Sequence, residues 1–379
     1  MEKKKRITIA QIAELAGVSK ATASLVLNGK SAEYRIADDT RKRIQAVADE
    51  CHYQPSFHAR ALRETRSYTW GLVIPDLTNF GFASIARALE AHCREAGIQL
   101  LIACSEDDPT LEQRVVDNLI SRQVDGLIVA SSGHSDDIYA RIHDRLPVVQ
   151  LDRHIGESRL PMVISDACKA TAELVQEMAG QCGEEIYYFG GLLDLSPSRH
   201  RLAGYELGLH RAGLEADPTR VRHRDYQPSS GYQLMAELVA ELGAPPKGLF
   251  TASFTLLEGV LRYLNEAGLM ETGMRLCTFD DHDLLDCIPM RIDSVAQDCP
   301  ALARATFELM QKLIAGNPPP QTAQVINPRI RWRSQRAARV ARAPRILKSK
   351  SPAGNSGAFA FSMVESGVSR WYWRARTPA

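Results

Sequence analysis

The chain has 379 residues, 45% of them apolar and 24% charged, with a formal net charge of +1. That length allows two or three domains, and the composition is that of an ordinary globular protein, not of a disordered, collagen-like or disulfide-dense one. No apolar run approaches the ~20 residues that cross a membrane. No apolar signal region follows MetGluLysLysLysArg at the start, so the expectation is a cytoplasmic protein with no membrane partner.

The small net charge hides a partition. Residues 1–66 carry 13 Lys/Arg against 8 Asp/Glu, and residues 327–379 carry 12 against 1. The middle, 67–326, carries 21 against 36. A basic head on an acidic body suits a protein that docks its head on DNA and holds the body away from phosphates. Eight cysteines stand at 51, 93, 104, 168, 182, 277, 287 and 299, with no CxxC pair. They read as buried, reduced thiols, with no metal or disulfide role expected.

Residues 8–29 hold two short helices around a Gly-Val-Ser turn. That is the sequence form of a helix-turn-helix, and it makes double-stranded DNA the first candidate partner. Thr8 and Gln11 have capping-box spacing. Ile12, Leu15 and Ala16 predict one apolar face. Gly17 suits a left-handed exit from the first helix, Ser19 suits the cap of the second, and Asn28-Gly29 ends it. In the second helix Ala23, Val26 and Leu27 predict a packing stripe, while Lys20, Ala21, Ser24 and Leu25 project away from it. Lys20 suits guanine, Ala21 and Leu25 suit thymine methyls, and Thr22 and Ser24 suit phosphates. Thr8 and Asn28 complete the candidate DNA contacts. Alone, the same pattern fits two amphipathic helices of any small bundle.

A third helix is predicted over 38–52, with Ile44, Val47, Ala48 and Cys51 inward. Residues 54–66 follow as a connector. Pro55 suits a helix start, and Ala59, Leu62 and Arg63 fall at i, i+3 and i+4. The segment is too short to hold a helix unaided, since isolated helices below ~12–15 residues are marginal. A connector near its order–disorder balance is what an allosteric hinge requires.

From Tyr68 short β-rich runs alternate with helical periodicity. Strands are predicted at 70–75, 98–103, 126–130, 147–151, 161–164, 186–190, 248–251 and 276–279. Helices are predicted at 81–96, 110–122, 168–180, 200–213, 230–242, 254–267 and 300–315. This alternation means an α/β body of parallel sheets with crossover helices, in two lobes with a ligand cleft at the carboxyl ends of the strands. Residues 340–379 read as a flexible basic extension, and its Trp371, Tyr372 and Trp373 have no physical explanation.

With these elements in this order, the chain resembles the LacI/GalR family of bacterial repressors over about residues 7–335. IleAlaGluLeuAlaGlyValSerLysAlaThrAlaSer, LeuAsnGlyLys, TyrGlnPro, GlyLeuValIlePro, GlnValAspGlyLeuIleValAla, ArgLeuAlaGlyTyr and PheAspAsp carry the resemblance. SerAlaGluTyrArgIle (31–36), LeuLeuIleAlaCysSerGluAsp (100–107) and LeuSerProSerArgHisArg (195–201) are similar to a branch holding fructose-responsive regulators. The resemblance implies four segments: a three-helix helix-turn-helix domain at 7–53, a hinge helix and linker at 54–67, a two-lobed periplasmic-binding-protein-like body at 68–335, and a tail at 336–379. It implies a homodimeric or homotetrameric repressor of sucrose and fructose utilisation genes. Fructose or fructose 1-phosphate would release it from operator DNA.

Residue by residue, the resemblance makes Leu62 the leucine that wedges into the minor groove, a device that kinks DNA, with Ala59 its packing neighbour and Arg60 and Arg63 phosphate contacts. Arg201 and Asp280 match the family's effector contacts. Asp281 stands beside the latter. Asp76, Asp152 and Arg153 follow strands, and Ser196 and Ser198 precede the helix holding Arg201, where a phosphate would meet a helix N-terminus. Carboxylates suit sugar hydroxyls, and arginines suit hydroxyls or phosphate.

Two departures stand out. Many members carry Asn-Asp after the strand at 248–251, both holding a hexopyranose; Ser253-Phe254 stand there instead, which fits a smaller or ring-different ligand. Ala37 replaces the serine that usually caps the third helix. Against the repressor stand a periplasmic sugar-binding protein, which the missing export signal and the head argue against, and an enzyme of sugar metabolism. No G-x-G-x-x-G, P-loop, G-x-S-x-G or zinc motif is present. AspAspHisAsp (280–283) reads as a sugar-binding loop rather than a metal site, and no catalytic residue or cofactor is expected.

Overall fold

The computed structural model describes residues 7–53, 66–318, 321 and 323–334. The expected hinge segment, with Ala59, Arg60, Leu62 and Arg63, and the tail beyond Ser334 lie outside the described residues.

The head is three helices: α1 Ile9–Leu15, α2 Lys20–Leu27 and α3 Asp38–Glu50. Thr8 and Gln11 form the reciprocal capping box, and the Ser19 hydroxyl accepts from the Thr22 N–H. Gly17 and Gly29 take φ of +62° and +75°, a region open to glycine without a steric penalty. Ile12, Ala13, Ala16, Ala23, Val26, Ile44 and Ala48 form a closed core. The expected face of α1 is corrected in one place. Leu15 is 62% exposed, and Ala13 takes its place inside, because a seven-residue helix has too few turns for a full stripe. Ala37 makes no side-chain cap. Instead the α3 residue Arg43 donates from Nε to the Ala16 carbonyl at 2.9 Å, tying α3 to the end of α1.

The body holds two six-stranded sheets. Lobe one begins with β1 Thr69–Ile74, α4 Phe80–Glu95, β2 Gln99–Cys104, α5 Pro109–Ser121, β3 Gly126–Val129, α6 Asp137–Ala140, β4 Val148–Leu151 and β5 Met162–Ser165. Lobe two follows with α7 Ala167–Cys182, β6 Ile186–Gly190, α8 Ser196–Arg211, β7 Val221–His223, α9 Pro228–Leu242, β8 Gly248–Thr251, α10 Phe254–Glu266, β9 Arg275–Phe279 and β10 Asp293–Ala296. The chain then returns to lobe one through α11 Cys299–Ile314 and β11 Ala323–Ile326, and ends the body in lobe two with β12 Arg329–Arg331. The strand orders are β11-β5-β4-β3-β1-β2 and β12-β10-β9-β8-β6-β7. Among the described residues every strand pairing is parallel except β10 with β12. The chain therefore crosses between lobes three times, near 166, 297 and 327.

Both faces of each sheet are covered, so the central strands are continuous apolar runs: β1, β3, β4 and β6 are buried throughout. Small residues let the helices approach closely. An added Cβ at Gly204 or Gly208 of α8 would stand 2.5 or 2.7 Å from carbonyls of α7, and one at Gly259 of α10 only 1.9 Å from the Pro228 carbonyl of α9. The α7–α8 contact fixes where α8, and with it Arg201, meets the cleft.

Candidate functional site

A crevice of about 420 Å³ lies between the lobes at the carboxyl ends of the strands, the place open parallel sheets offer to ligands. Asp152 directly follows β4 and Asp280 directly follows β9, so each lobe contributes one carboxylate from an equivalent position. Both take left-handed backbones, with φ of +63° and +70°. Such conformations in residues other than glycine collect at ligand sites, and Asp tolerates them best together with Asn.

Arg201 sits on α8 at the floor of the crevice, 5% exposed. Its Nη1 donates to the Ala252 carbonyl at 2.6 Å, and its guanidinium carbon lies 3.8 Å from the centre of the Phe279 ring. Its buried Nε has no hydrogen-bond partner among the described residues. Burial works to discharge Arg201, but the surrounding Tyr226, Asp280 and Asp152 outweigh it and hold the guanidinium charged more firmly than usual. Burial raises the Asp152 carboxyl above its ordinary value; Arg201 opposes that shift and Asp280 adds to it.

Arg153 is buried and bound to Asp107, with Phe82 5.5 Å from its guanidinium. The Asp76 carboxylate is turned back on Thr78, accepting its N–H at 2.8 Å, yet still lines the crevice. Asp280 accepts from Gln297 Nε2 at 2.9 Å, and Gln297 Oε1 accepts from the Ser165 hydroxyl at 2.7 Å. This chain joins the cleft to two of the three crossovers.

Three expected effector residues stand elsewhere. Asp281 faces away, accepting from Ser294 at 2.6 Å and pairing with Arg333 and Arg331. Ser196 and Ser198 do not precede the helix of Arg201 but form its first turn, because Pro197 suits that turn. Ser196 accepts the His154 N–H at 2.9 Å and Ser198 bonds the Tyr226 hydroxyl at 2.8 Å. They brace the rim, and neither lines the crevice.

His282, within the expected sugar-binding loop, lines the crevice, and the structure adds five residues not named as contacts from the sequence: Phe80, Asp107, Tyr226, Glu258 and Gln297. With His282 they stand on six separate elements or loops, and only the topology brings them together. A larger hollow of about 890 Å³ opens at the other end of lobe one, beside Ser67, Asp125 and Pro147. It lies at the amino ends of the strands, where this sheet type does not bind ligands.

On the head, Lys20 and Ala21 at the start of α2 are exposed, while Thr22, Ser24, Leu25 and Asn28 are half-buried. Thr8 is exposed, with its hydroxyl in the capping box. The Thr22 hydroxyl meets Ser19 at 2.8 Å, and Asn28 Nδ2 turns back onto the Ser24 carbonyl, so each holds an end of α2. The first turn of α2 is thus presented outward with its inner face fixed by the core, as a recognition helix needs.

Residues 8–56 match the model of bacterial regulatory proteins of the lacI family, and residues 70–318 match a periplasmic binding protein domain. The sucrose operon repressor of Klebsiella pneumoniae is 52% identical over 333 residues, covering 86% of this chain and all of that protein. The fructose operon regulatory protein of Vibrio cholerae is 37% identical over 306 residues, covering 80% of this chain and 93% of its own. Among solved structures, the Cra transcriptional dual regulator of Pseudomonas putida in complex with fructose 1-phosphate aligns with a TM-score of 0.65 at 31% identity, over 70% of this chain and 98% of that one. The lac repressor dimer bound to operator aligns with a TM-score of 0.76 at 21% identity, over 87% and 99%, a likeness of fold. A helix-turn-helix head, a two-lobed binding body and a relative matched along its whole length lead to one conclusion: the chain belongs to the lacI family of bacterial regulatory proteins, and is a DNA-binding transcription regulator rather than an enzyme.

Proposed function

We propose that this regulator represses genes of sucrose and fructose utilisation and leaves its operator when fructose fills the crevice. In this reading α2 reads the major groove through Lys20, Ala21 and Leu25, with Thr8, Thr22, Ser24 and Asn28 toward the backbone. The segment with Ala59, Arg60, Leu62 and Arg63 grips the minor groove in a homodimer. Arg201, Asp280 and Asp152 hold the sugar, with Arg153 and Asp76 at its edge. The observation that carries the reading is the meeting of Asp152 and Asp280, one from each lobe, around Arg201. A ligand bonded to both carboxylates has differential contacts in open and closed lobes, which is what any population shift requires.

The charge of the crevice supports fructose over its phosphoesters. Asp76, Asp107, Asp152, Asp280 and Glu258 line it against Arg153 and Arg201. Arg153 is already paired with Asp107. A phosphoester would bring further negative charge into a predominantly acidic site. A fructose 1-phosphate-responsive catabolite regulator is the second reading, favoured by the likeness to the Pseudomonas putida protein. Isothermal titration of the full chain with fructose, fructose 1-phosphate, fructose 1,6-bisphosphate and sucrose separates them. Fructose is expected to bind most tightly. Tighter binding of a phosphoester selects the second reading, and no binding of any of them refutes both.

A further inference from the structure

At the mouth of the crevice three rings meet. His282, on the loop after β9, stacks on Phe254 at the start of α10, with centroids 5.0 Å apart and planes 18° apart. From lobe one, Phe80 at the start of α4 reaches across to the His282 ring, with centroids 4.3 Å apart. Phe80 is 42% exposed, although it is a large apolar ring at the opening of a polar crevice. His282 Nδ1 accepts the Leu284 N–H at 3.0 Å, which fixes the ring against its own loop. Phe254 is the residue that replaces a polar partner expected at this place. The hydroxyl of its neighbour Ser253 caps α10 by accepting the Leu256 N–H at 3.1 Å.

The rings also stand at a partition. A second hollow of about 240 Å³ adjoins the crevice and shares Phe80, Gly81, Asp280, His282 and Gln297 with it. The Phe80–His282 contact is therefore part of the wall between a space for one sugar ring and a neighbouring space open to a second. It is also a contact between lobes, so it forms only when they approach.

We infer that Phe80, His282 and Phe254 form a specificity wall that closes across the lobes over a single ketose and bars a disaccharide from the crevice. This rests on the assignment of the crevice to fructose. Two consequences separate the wall from mere packing. It contributes to closure, since aromatic pairs add about 0.5–1.5 kcal/mol beyond their area, or roughly a 2- to 12-fold change in affinity. It also sets a ratio, because opening it relieves the exclusion of the second ring while leaving Arg201, Asp152 and Asp280 in place.

The test is calorimetric titration of fructose and of sucrose into the full-length wild type, Phe80→Ala and His282→Ala. Phe80 is 42% exposed and His282 half-buried, so both variants are expected to fold; Phe80→Leu serves as a control that keeps an apolar side chain. The wild type is expected to prefer fructose strongly. The alanine variants are expected to lose about 2- to 12-fold in fructose affinity and to narrow the fructose-to-sucrose ratio by roughly tenfold or more, the scale on which a pocket discriminates by fit. A ratio unchanged in both alanine variants, with fructose still binding, overturns the wall alone. A wild type that binds neither sugar overturns the assignment of the crevice, and the wall with it.

Discussion

Replacing Arg201 by Met keeps an unbranched side chain of similar reach and removes the guanidinium. Three things then change at once. The Ala252 carbonyl loses a charged donor at 2.6 Å. The cation leaves the face of Phe279. Asp152 and Asp280, which Arg201 holds together, face one another without it. Removing one partner from a buried charge cluster costs about 3–5 kcal/mol. The loss is expected to shrink in acid, because protonating Asp152, whose pKa burial already raises, relieves the repulsion between the carboxylates. The stability gap between Arg201→Met and wild type is therefore wider at pH 8 than at pH 5. For the ligand, a charge-assisted hydrogen bond of about 1.5–3 kcal/mol corresponds to roughly 10- to 150-fold weaker fructose binding. Thermal denaturation across pH, fructose calorimetry and operator binding by fluorescence anisotropy read these effects. Operator binding is expected to persist while release by fructose is lost. An Arg201→Met protein that leaves DNA at the wild-type fructose concentration refutes the reasoning.

Three further outcomes are expected. The buried Glu112 carboxylate accepts from the Ser131 hydroxyl at 2.5 Å, the Ser132 N–H at 2.6 Å and the Tyr139 hydroxyl, so Glu112→Ala orphans three donors at about 1 kcal/mol each and lowers the melting temperature by about 6–12 °C; a shift under about 2 °C contradicts this. His154 and His200 meet across the lobes with ring centroids 5.3 Å apart. Burial lowers both pKa values from about 6.5, as do Arg199 and, for His200, its partner ring. Above that pH both states are neutral; below it the opened form takes up protons that the closed form resists. Fructose affinity should therefore fall on acidification through pH 6.5, and fall less in His154→Gln/His200→Gln; an equal fall in both proteins sinks that explanation. Leu62→Ala should weaken binding to the specific operator while sparing the salt-sensitive non-specific mode, and equal loss of both modes in a salt titration argues against a wedge.

Much of this architecture was legible because apolar periodicity is a local property. All eight expected strands occur within about a residue of their places, and the helix starts are marked by residues that do cap: Thr8, Ser19, Asn79, Asp108 and Asp298. What escaped was short or polar. β12 is only Arg-Ile-Arg at a sheet edge, and β10 begins with Asp293, a buried carboxylate that accepts from the Ser334 N–H at 2.9 Å and pairs with Arg275. A strand anchored by a buried polar side chain has no alternating signature. Within the site, Arg201 and Asp280 were named through the family resemblance and Asp152 through its place after a strand; all three line the crevice. Asp281 has the same sequence setting as Asp280, yet Arg333, distant in the chain, draws it away. Phe80 and Gln297 carried no local signal, for their places at the crevice come from lobes that the chain builds by crossing three times.

Regulation by this chain depends on coupling between the crevice and the grip of the head. The direct measurement is anisotropy titration of the full chain on a palindromic duplex selected from a random pool, with and without saturating fructose at fixed salt. The account predicts operator binding about 5- to 150-fold weaker with the sugar, the span of a typical allosteric coupling. Operator affinity that stays the same while calorimetry shows the crevice full would contradict it.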